Sequence, residues 1–470
     1  MNCVESRSVK ETRMRTLIIG MGVTGMSCVK FLHRSDDLVV LDTRDDPPGL
    51  FEMASEYPDV SVHRGVSSFD FSGFDRMIVS PGVPLDDGVL SGAPAALPRL
   101  SDIDLFCETM EAAGGGCEIV AITGTNGKST VTSLVGHLLN QADYKAATGG
   151  NLGQPALNLL DEPCEVYVLE LSSFQLERMQ PHRFNAATIL NVSEDHLDRH
   201  IDMDGYLKAK QLIYRLCDLA VVNRSDPRTH PTPDMVCGRV VSFGEDEPDA
   251  GNWGIRASGG RRYLALGDEL VLDCADLPIT GRHNEQNFLA AFAIASDTAS
   301  GSASGSASGS GLGVEALAAG ALTFQGLEHR CQVVADIAGV VYVNDSKATN
   351  VGATLAALSG LGDPGARHLI LIAGGDGKGA DFTALRDCIG KFVKDVVLLG
   401  RDAGIMAAAL AGVAPVRRVA DMEEAVEAGT RLASPGDLVL LSPACASLDM
   451  YANFAARGDD FANRVKALAA

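Results

Sequence analysis

The chain has 470 residues, of which 46% are hydrophobic and 21% charged, and its net charge at pH 7 is −22. This length and composition predict a globular protein of two to four domains. The acidic charge and the low aromatic content argue against a phosphate-backbone surface or a base-stacking platform, so we expect no nucleic-acid partner.

The cysteine pattern and the hydropathy pattern bear on location. Eleven cysteines are scattered without a C-x-x-C pair, which is typical of free thiols in a reducing compartment. No apolar run approaches the length of a membrane span, and residues 1–14 lack the apolar region of a signal peptide. The sequence therefore predicts a cytoplasmic protein without membrane insertion, with residues 1–14 as a disordered extension.

Residues 1–110 are predicted to form a first α/β domain. Short apolar strands at 15–20, 37–42 and 75–79 alternate with helical segments, which is typical of a parallel sheet. The sequence Gly20-Met-Gly-Val-Thr-Gly25 follows the first strand, and the acidic Asp42 ends the second. This spacing indicates a pyrophosphate site, either of NAD(P) in an oxidoreductase or of a UDP-sugar.

Residues 111–326 and 327–470 are predicted to form two further α/β domains. In the second, strands are expected at 119–122, 166–171 and 187–190, followed by a β-rich region at 223–275. Residues 301–311 read GSASGSASGSG, and we interpret them as a flexible insertion between helices at 284–296 and 314–322. In the third, strands are expected at 339–343, 368–373, 395–399 and 437–441.

The strongest chemical signal is the segment Thr123-Gly-Thr-Asn-Gly-Lys128-Ser129-Thr130. It follows the strand at 119–122 and precedes an amphipathic helix, although Ile122 stands where a strict phosphate-loop motif has its first glycine. Strand, glycine-rich loop and helix N-terminus together bind phosphates through backbone N–H groups, with Lys128 reaching the outer phosphates and Ser129 available to Mg²⁺. A tight turn with a surface lysine is the alternative.

Two carboxylate-bearing segments and one lysine are predicted to lie near this loop. Glu170 ends the strand at 166–171, and an acidic segment with His196 follows the strand at 187–190, so both lie at the carboxyl edge of the sheet. Both can ligate Mg²⁺. The alternatives are that Glu170 caps a helix and that the segment with His196 is a solvated loop. On a helix over 206–214, helical spacing turns Lys210 inward and Lys208 outward; a snorkelling Lys210 is the alternative.

Several of these segments carry a resemblance to a known family. From about Arg15 onward the chain resembles the Mur ligases, whose relatives include the folylpolyglutamate synthetases and share the segment at 123–130. The segments at 344–350, 374–378 and 441–449 are similar to those of the members that add D-glutamate. The resemblance implies a three-domain α/β architecture, with a Rossmann-like first domain, a central P-loop-type ATPase domain and a Rossmann-like third domain.

The resemblance also implies roles for single residues. For the UDP-substrate they are Val23, Thr24, Asp42, Thr43, Arg44, Ser80, Gly82, Asn151 and His196. For ATP they are Gly124, Thr125, Asn126, Gly127, Lys128, Ser129, Thr130, Asn284, Asn287, Arg330 and Asp345. For D-glutamate they are Lys347, Thr349, Lys378, Ser447, Leu448 and Phe454. For metal they are Ser129 and Glu170 at one site, with His196 and a carbamylated Lys210 at a second; Lys128, His196 and Lys210 would be catalytic. Cys445 is read as a packing thiol.

The implied reaction is ATP-dependent addition of D-glutamate to UDP-N-acetylmuramoyl-L-alanine through an acyl phosphate, giving ADP and phosphate, in peptidoglycan precursor synthesis. The implied cofactors are ATP and Mg²⁺ at two sites, with Mn²⁺ as a substitute, and we expect a monomer. Another ligase of the superfamily and an NAD(P)-dependent oxidoreductase are the alternatives. A separate first domain with Asp42-Thr-Arg44 argues against a folylpolyglutamate synthetase, and the downstream phosphate loop argues against a simple dehydrogenase.

Overall fold

The computed structural model describes residues 13–84, 87–151, 153–195, 197–200, 202–279, 281–298, 311–362 and 365–468. Most of the predicted N-terminal extension, residues 301–310 of the predicted insertion, and His196 lie outside the described residues. None of the described helices combines the length and the apolar character needed to cross a bilayer.

The first domain is a parallel sheet with helices packed against it. In chain order its elements are β1 (Arg15–Ile19), α1 (Val23–Leu32), β2 (Asp37–Asp42), α2 (Leu50–Glu56), β3 (Ser61–Arg64), β4 (Arg76–Val79), β5 (Arg99–Leu100) and α3 (Asp102–Ala112). The strand order is β3-β2-β1-β4-β5, which places the ends of β1, β2 and β4 side by side. The three predicted strands are confirmed, whereas β3 and β5 were not predicted because they are short and mostly solvent-exposed.

Helix α3 joins the first domain to the second. Its N-terminus carries a capping box, in which Ser101 and Asp104 satisfy each other's backbone N–H groups. Asp104 is also paired with His182 of the second domain, at 3.0 Å. The boundary predicted near residue 110 falls inside this helix, and irregular backbone follows it at 113–117.

The second domain contains a single large sheet, to which both halves of its sequence contribute strands. In chain order its elements are β6 (Glu118–Thr123), α4 (Lys128–Gln141), β7 (Ala146–Gly150), β8 (Val166–Glu170), α5 (Ser173–Leu176), β9 (Phe184–Ile189), α6 (Leu197–His200), α7 (Met203–Gln211), β10 (Leu216–Asn223), β11 (Val236–Phe243), β12 (Trp253–Ser258), β13 (Arg261–Leu266), β14 (Glu269–Asp273), α8 (Arg282–Ala295) and α9 (Val314–Leu322). Strands β6 to β11 are parallel, and β12 to β14 form an antiparallel edge.

The predictions for this domain hold with one correction. The strands at 119–122, 166–171 and 187–190, the β-rich region at 223–275 and the two helices around the insertion are all present. The helix predicted over 206–214 is wrong at both ends: the α-helix is α7, and residues 212–214 form a 3-10 turn. Asp202 caps α7 by accepting from the Gly205 N–H, so the helix begins one turn earlier than hydrophobic spacing indicates.

The third domain is a mostly parallel sheet covered on both faces. In chain order its elements are β15 (Gln332–Ile337), β16 (Val340–Asn344), α10 (Val351–Leu361), β17 (Leu369–Gly374), α11 (Arg386–Phe392), β18 (Val393–Leu399), α12 (Ala403–Ala409), β19 (Val416–Arg418), α13 (Met422–Leu432), β20 (Leu438–Leu441) and α14 (Phe454–Leu468). The strand order is β15-β16-β20-β17-β18-β19, with β15 antiparallel. The four predicted strands are confirmed, and the loops after β16, β17 and β20 meet at one edge.

Candidate active site

The glycine-rich segment forms a tight loop between β6 and α4. Gly127 is the N-terminal cap of α4 and has a positive φ of 83°, which a residue with a side chain rarely adopts. A Cβ atom on Gly127 would lie 2.5 Å from Oδ1 of Asn287 on α8. Only glycine fits at this position, and the loop precedes a helix N-terminus as in a phosphate-binding loop.

Lys128 lies directly above this loop. Its Nζ donates to the carbonyl oxygens of Gly124 and Thr125, at 3.1 and 2.9 Å. Burial lowers the pKa of Lys128, and the nearby carboxylates of Glu170 and Asp195 oppose that shift. The result is a cation held in a low-dielectric site beside the loop, where its attraction for an anion is strong.

Glu170 ends β8 next to the loop and is buried. Its Oε1 accepts from Nδ2 of Asn151 at 2.7 Å, whereas its Oε2 has no hydrogen-bond partner among the described residues. Burial raises the pKa of Glu170, but the charge on Lys128, the hydrogen bond from Asn151 and the charge on Arg330 act together with other contacts to leave the pKa below its usual value. An ionised, buried carboxylate with one unpaired oxygen fits a hard cation such as Mg²⁺.

Lys210 faces the loop from α7. Its side chain is buried at 1% exposure, whereas Lys208 is exposed, so the predicted inward face is confirmed. Nζ of Lys210 donates to the Gly124 carbonyl at 2.9 Å and lies 4.4 Å from the centroid of the Tyr206 ring. Burial, and then the charge on Lys128, hold the pKa of Lys210 well below its usual value. A snorkelling position is excluded, because the amine lies in the interior.

The third domain closes over the loop and completes a cavity of about 280 Å³. Arg330 donates to Oγ of Ser129 at 2.6 Å, and Nδ2 of Asn350 donates to Oδ2 of Asp195 at 3.1 Å. All the residues predicted for ATP except Gly124 line this cavity, together with Asn151, Glu170, Lys347 and Thr349. The loop and the segment at 345–350 therefore face one another across a single space.

The residues predicted for the amino acid are less closely gathered. Nζ of Lys347 lies 3.9 Å from the centroid of the Phe454 ring, and burial lowers the pKa of Lys347 to about 8. Lys378 is near enough to Lys347 to lower that pKa further, but its own side chain is exposed. Ser447 is buried and Leu448 exposed, and neither these two nor Lys378 and Phe454 line the interdomain cavity. Burial raises the pKa of Cys445 to about 12, which agrees with a packing thiol.

The first domain has its own cavity, of about 370 Å³, at the ends of β1, β2 and β4. It is lined by the seven first-domain residues predicted for the UDP-substrate: Val23, Thr24, Asp42, Thr43, Arg44, Ser80 and Gly82. Asp42 is fully engaged, because it accepts from the N–H of Met21 and from the side chain and N–H of Arg44. These hydrogen bonds outweigh burial and lower the pKa of Asp42.

Several residues of the interdomain cavity were not predicted individually. Asp195 and Asn350 belong to segments singled out in the sequence, but their contact joins two domains and has no signal in either segment. His283 lines the same cavity, and burial lowers its pKa to about 4, so it is neutral at pH 7. His283 could have been predicted from its position beside Asn284, on the helix face that also carries Asn287.

The fold and the two cavities define an α/β protein in which a loop of the phosphate-binding type faces a cavity between two domains. Family models describe residues 14–97 as "Mur ligase MurD-like, N-terminal domain", residues 122–295 as "Mur ligase middle domain" and residues 329–445 as "Mur ligase, glutamate ligase domain".

Curated relatives and solved structures agree with these models. A UDP-N-acetylmuramoylalanine–D-glutamate ligase of Pseudomonas aeruginosa is 46% identical over 96% of this chain and 98% of its own length. One of Marinobacter nauticus is 42% identical over 98% of this chain and all of its own. The structure of a UDP-N-acetylmuramate-alanine ligase from Thermotoga maritima has a TM-score of 0.60 at 17% identity, covering 97% of this chain and 100% of that one. The chain belongs to the Mur ligase family, in the branch of the D-glutamate ligases.

Proposed function

We propose that this enzyme joins D-glutamate to UDP-N-acetylmuramoyl-L-alanine by an amide bond and converts ATP to ADP and phosphate. One observation carries the proposal: the phosphate loop and the segment at 345–350 line the same cavity. An amide ligase needs this arrangement, because the activated acid must meet the amine before water reaches it. The names of the curated relatives support the same substrates.

ATP fits the interdomain cavity with its phosphates at the loop. Lys128 and Arg330 are the cations beside the loop, and Asn284 and Asn287 of α8 line the same cavity. A Thermotoga maritima relative, 15% identical with a TM-score of 0.56 over 98% of this chain and 97% of that one, was solved in complex with ADP. We assign the β- and γ-phosphates to the loop because its N–H groups and the α4 dipole favour the most highly charged part of the nucleotide.

Magnesium is assigned to the same edge of the sheet. Ser129 and the unpaired Oε2 of Glu170 would hold one ion, and Mn²⁺ would serve as a substitute. Mg²⁺ usually takes only one or two ligands from the protein and the rest from phosphate and water, so these two oxygens suffice. Bound there, the ion would neutralise the charge of the phosphates.

A second ion is assigned to Lys210 and His196. An ammonium at Lys210 would repel a cation, whereas its low pKa makes the neutral amine available to react with CO₂. The carbamate that forms is an anion with oxygen ligands. Lys210 would therefore act as a carbamylated lysine.

The residues of this chain then divide the reaction between them. Lys128 and Arg330 would neutralise the γ-phosphate, so that the anionic L-alanyl carboxylate can attack its phosphorus, displace ADP as the leaving group and form an acyl phosphate. Lys347, Thr349 and Lys378 would hold the carboxylates of D-glutamate, while its amine attacks the acyl carbon and phosphate leaves. The contacts of Arg330 and Asn350 with the second domain would hold the third domain against the loop, which would limit the access of water during both steps.

The UDP part of the substrate is assigned to the first-domain cavity. Arg44 and the N–H groups after β1 supply donors for its anionic and polar groups. Both oxygens of Asp42 accept from Arg44 and from backbone N–H groups, so Asp42 would act on this substrate by orienting Arg44. The monomeric state and the cytoplasmic location stay predictions.

Phosphate release tests this function directly. Purified enzyme is supplied with ATP, Mg²⁺ and UDP-N-acetylmuramoyl-L-alanine, and amino acids are added one at a time. We expect turnover with D-glutamate and at least about a hundredfold less with L-glutamate, D-alanine or L-alanine, because missing or misplaced carboxylates lose their charge-assisted hydrogen bonds to Lys347 and Lys378. Equal turnover with L-glutamate or L-alanine would contradict the assignment.

A further inference from the structure

Arg457 lies on the first turn of α14 and is buried at 3% exposure. All three guanidinium nitrogens donate hydrogen bonds. Nε reaches Oγ of Ser346 at 3.0 Å, Nη2 reaches the Ser346 carbonyl at 2.7 Å, and Nη1 reaches the Cys445 carbonyl at 3.1 Å. Within the described part of the chain Arg457 forms no salt bridge, so a buried charge is held by neutral oxygens alone.

These acceptors belong to two separate loops. Ser346 stands between Asp345 and Lys347 in the loop after β16, and Cys445 stands two residues before Ser447 in the loop after β20. Oγ of Ser346 also donates to the carbonyl of Phe454, at 2.8 Å, and Phe454 lies beneath the ammonium of Lys347. One guanidinium therefore connects every segment that carries a residue assigned to D-glutamate, except that of Lys378.

Joining two loops through a buried, unpaired cation is energetically unfavourable. Burial lowers the pKa of Arg457 to about 10, which measures how unfavourable its charge is in this position. An apolar side chain of similar volume would fill the same space at less expense, but it could not fix three acceptors at defined angles. The planar guanidinium fixes both the distance and the relative orientation of the two loops.

We propose that Arg457 is a positioning residue for the amino-acid substrate: it sets the register of the loops at 345–349 and 445–448, and with it the separation of Lys347 from Ser447. This inference rests on the proposed function, because it takes D-glutamate as the ligand of those loops. The side chain does not touch the substrate. It acts indirectly, through its hydrogen bonds to Ser346 and to the Cys445 carbonyl.

The test separates positioning from general stability. Arg457→Lys keeps the charge but has a single donor nitrogen, which cannot reach both loops with the geometry of the guanidinium. We expect KM for D-glutamate to rise about tenfold or more, while KM for ATP and for UDP-N-acetylmuramoyl-L-alanine stays within about twofold, since misplacement is confined to one subsite. In Arg457→Ala, millimolar guanidinium should recover part of the lost kcat/KM for D-glutamate.

Arg464→Ala is the matched control, because it removes an arginine from the same helix. Arg464 pairs with Asp460 and Glu423, each at 2.7 Å, and touches neither loop. We expect this variant to lower Tm without changing KM for D-glutamate.

An unchanged KM for D-glutamate in folded Arg457→Lys, or an equal rise in all three KM values, would overturn the proposal. If Arg457→Lys does not fold, Ser346→Ala decides on the same criterion, because it removes the Nε acceptor and the link to Phe454. Wild-type enzyme without D-glutamate-dependent phosphate release would instead overturn the proposed function on which the inference rests.

Discussion

The two cavities of this enzyme are built in different ways. Among the described residues, those that line the first-domain cavity all lie between Ile19 and Asp87, at the edge of one sheet. The interdomain cavity takes its lining from two domains, with the phosphate loop on one side and the segment at 345–350 on the other. The first-domain cavity can therefore bind its ligand in any position of the third domain. The interdomain cavity exists only while the third domain lies against the phosphate loop.

The two cavities also differ in how their charged side chains are neutralised. In the first-domain cavity Asp42 and Arg44 neutralise each other by paired hydrogen bonds. Beside the interdomain cavity Lys128 and Arg330 are half-buried, and burial lowers the pKa of each. Concentrated, poorly solvated cations favour a polyanionic ligand and its transition state. Changes there should therefore reduce kcat, and changes in the first-domain cavity should raise a single KM.

The largest effect is expected from Lys128→Ala. The transferred phosphoryl group would lose a preorganised cation, which is worth about 3 kcal/mol or more, or at least a hundredfold in kcat. Steady-state kinetics and a melting curve measure the change. A folded variant with a near-normal kcat would show that the loop does not bind the reacting phosphates.

Lys210→Arg should be nearly as severe, with a loss of about a hundredfold in kcat, because a guanidinium keeps its charge and does not form the carbamate. Acetate should restore part of the rate of Lys210→Ala by supplying a carboxylate in the vacated space. Lys208→Arg, on the exposed face of the same helix, is the control and should be unaffected. Full activity of Lys210→Arg would refute the carbamate.

Arg44→Ala should have a smaller effect, confined to the first-domain cavity. We expect KM for UDP-N-acetylmuramoyl-L-alanine to rise about tenfold, since one charge-assisted hydrogen-bonding group is lost, with KM for ATP unchanged. Arg64→Ala removes an exposed arginine of the same domain and serves as the control. A matching rise in KM for ATP would mean that the two cavities are not independent.

The smallest effect is a pH dependence of the amino-acid subsite. Because the pKa of Lys347 is lowered to about 8, the free enzyme loses this positive charge as the pH rises through that value. Inhibition by glutarate, a dicarboxylate without an amine, should weaken several-fold between about pH 7 and 9. Lys347→Arg should abolish this dependence, whereas a flat profile in the wild type would exclude a carboxylate contact with Lys347.

The same contrast explains what was predictable from sequence. The first-domain cavity follows from local motifs, since Gly20 to Gly25, Asp42 and Ser80 stand at the ends of neighbouring parallel strands, and the sheet order alone gathers them. The inward face of Lys210 followed from helical spacing.

Contacts between separate segments could not be predicted from local motifs or helical spacing. The pairs Arg330–Ser129 and Asn350–Asp195 depend on how two domains dock. Arg457 looks like an ordinary surface arginine of an amphipathic helix, and only the packing of α14 against two loops reveals its burial. The start of α7 was misjudged because hydrophobic spacing does not register the cap at Asp202.

The central claim is that the interdomain cavity transfers the γ-phosphate to the L-alanyl carboxylate before the amide bond forms. UDP-N-acetylmuramoyl-L-alanine labelled with ¹⁸O in both carboxylate oxygens tests it in one experiment. Attack of the carboxylate on the γ-phosphate leaves one labelled oxygen in the amide and carries the other into the released phosphate. Mass spectrometry of that phosphate should therefore find one ¹⁸O atom per turnover. Unlabelled phosphate in a reaction that still forms the amide would contradict the account.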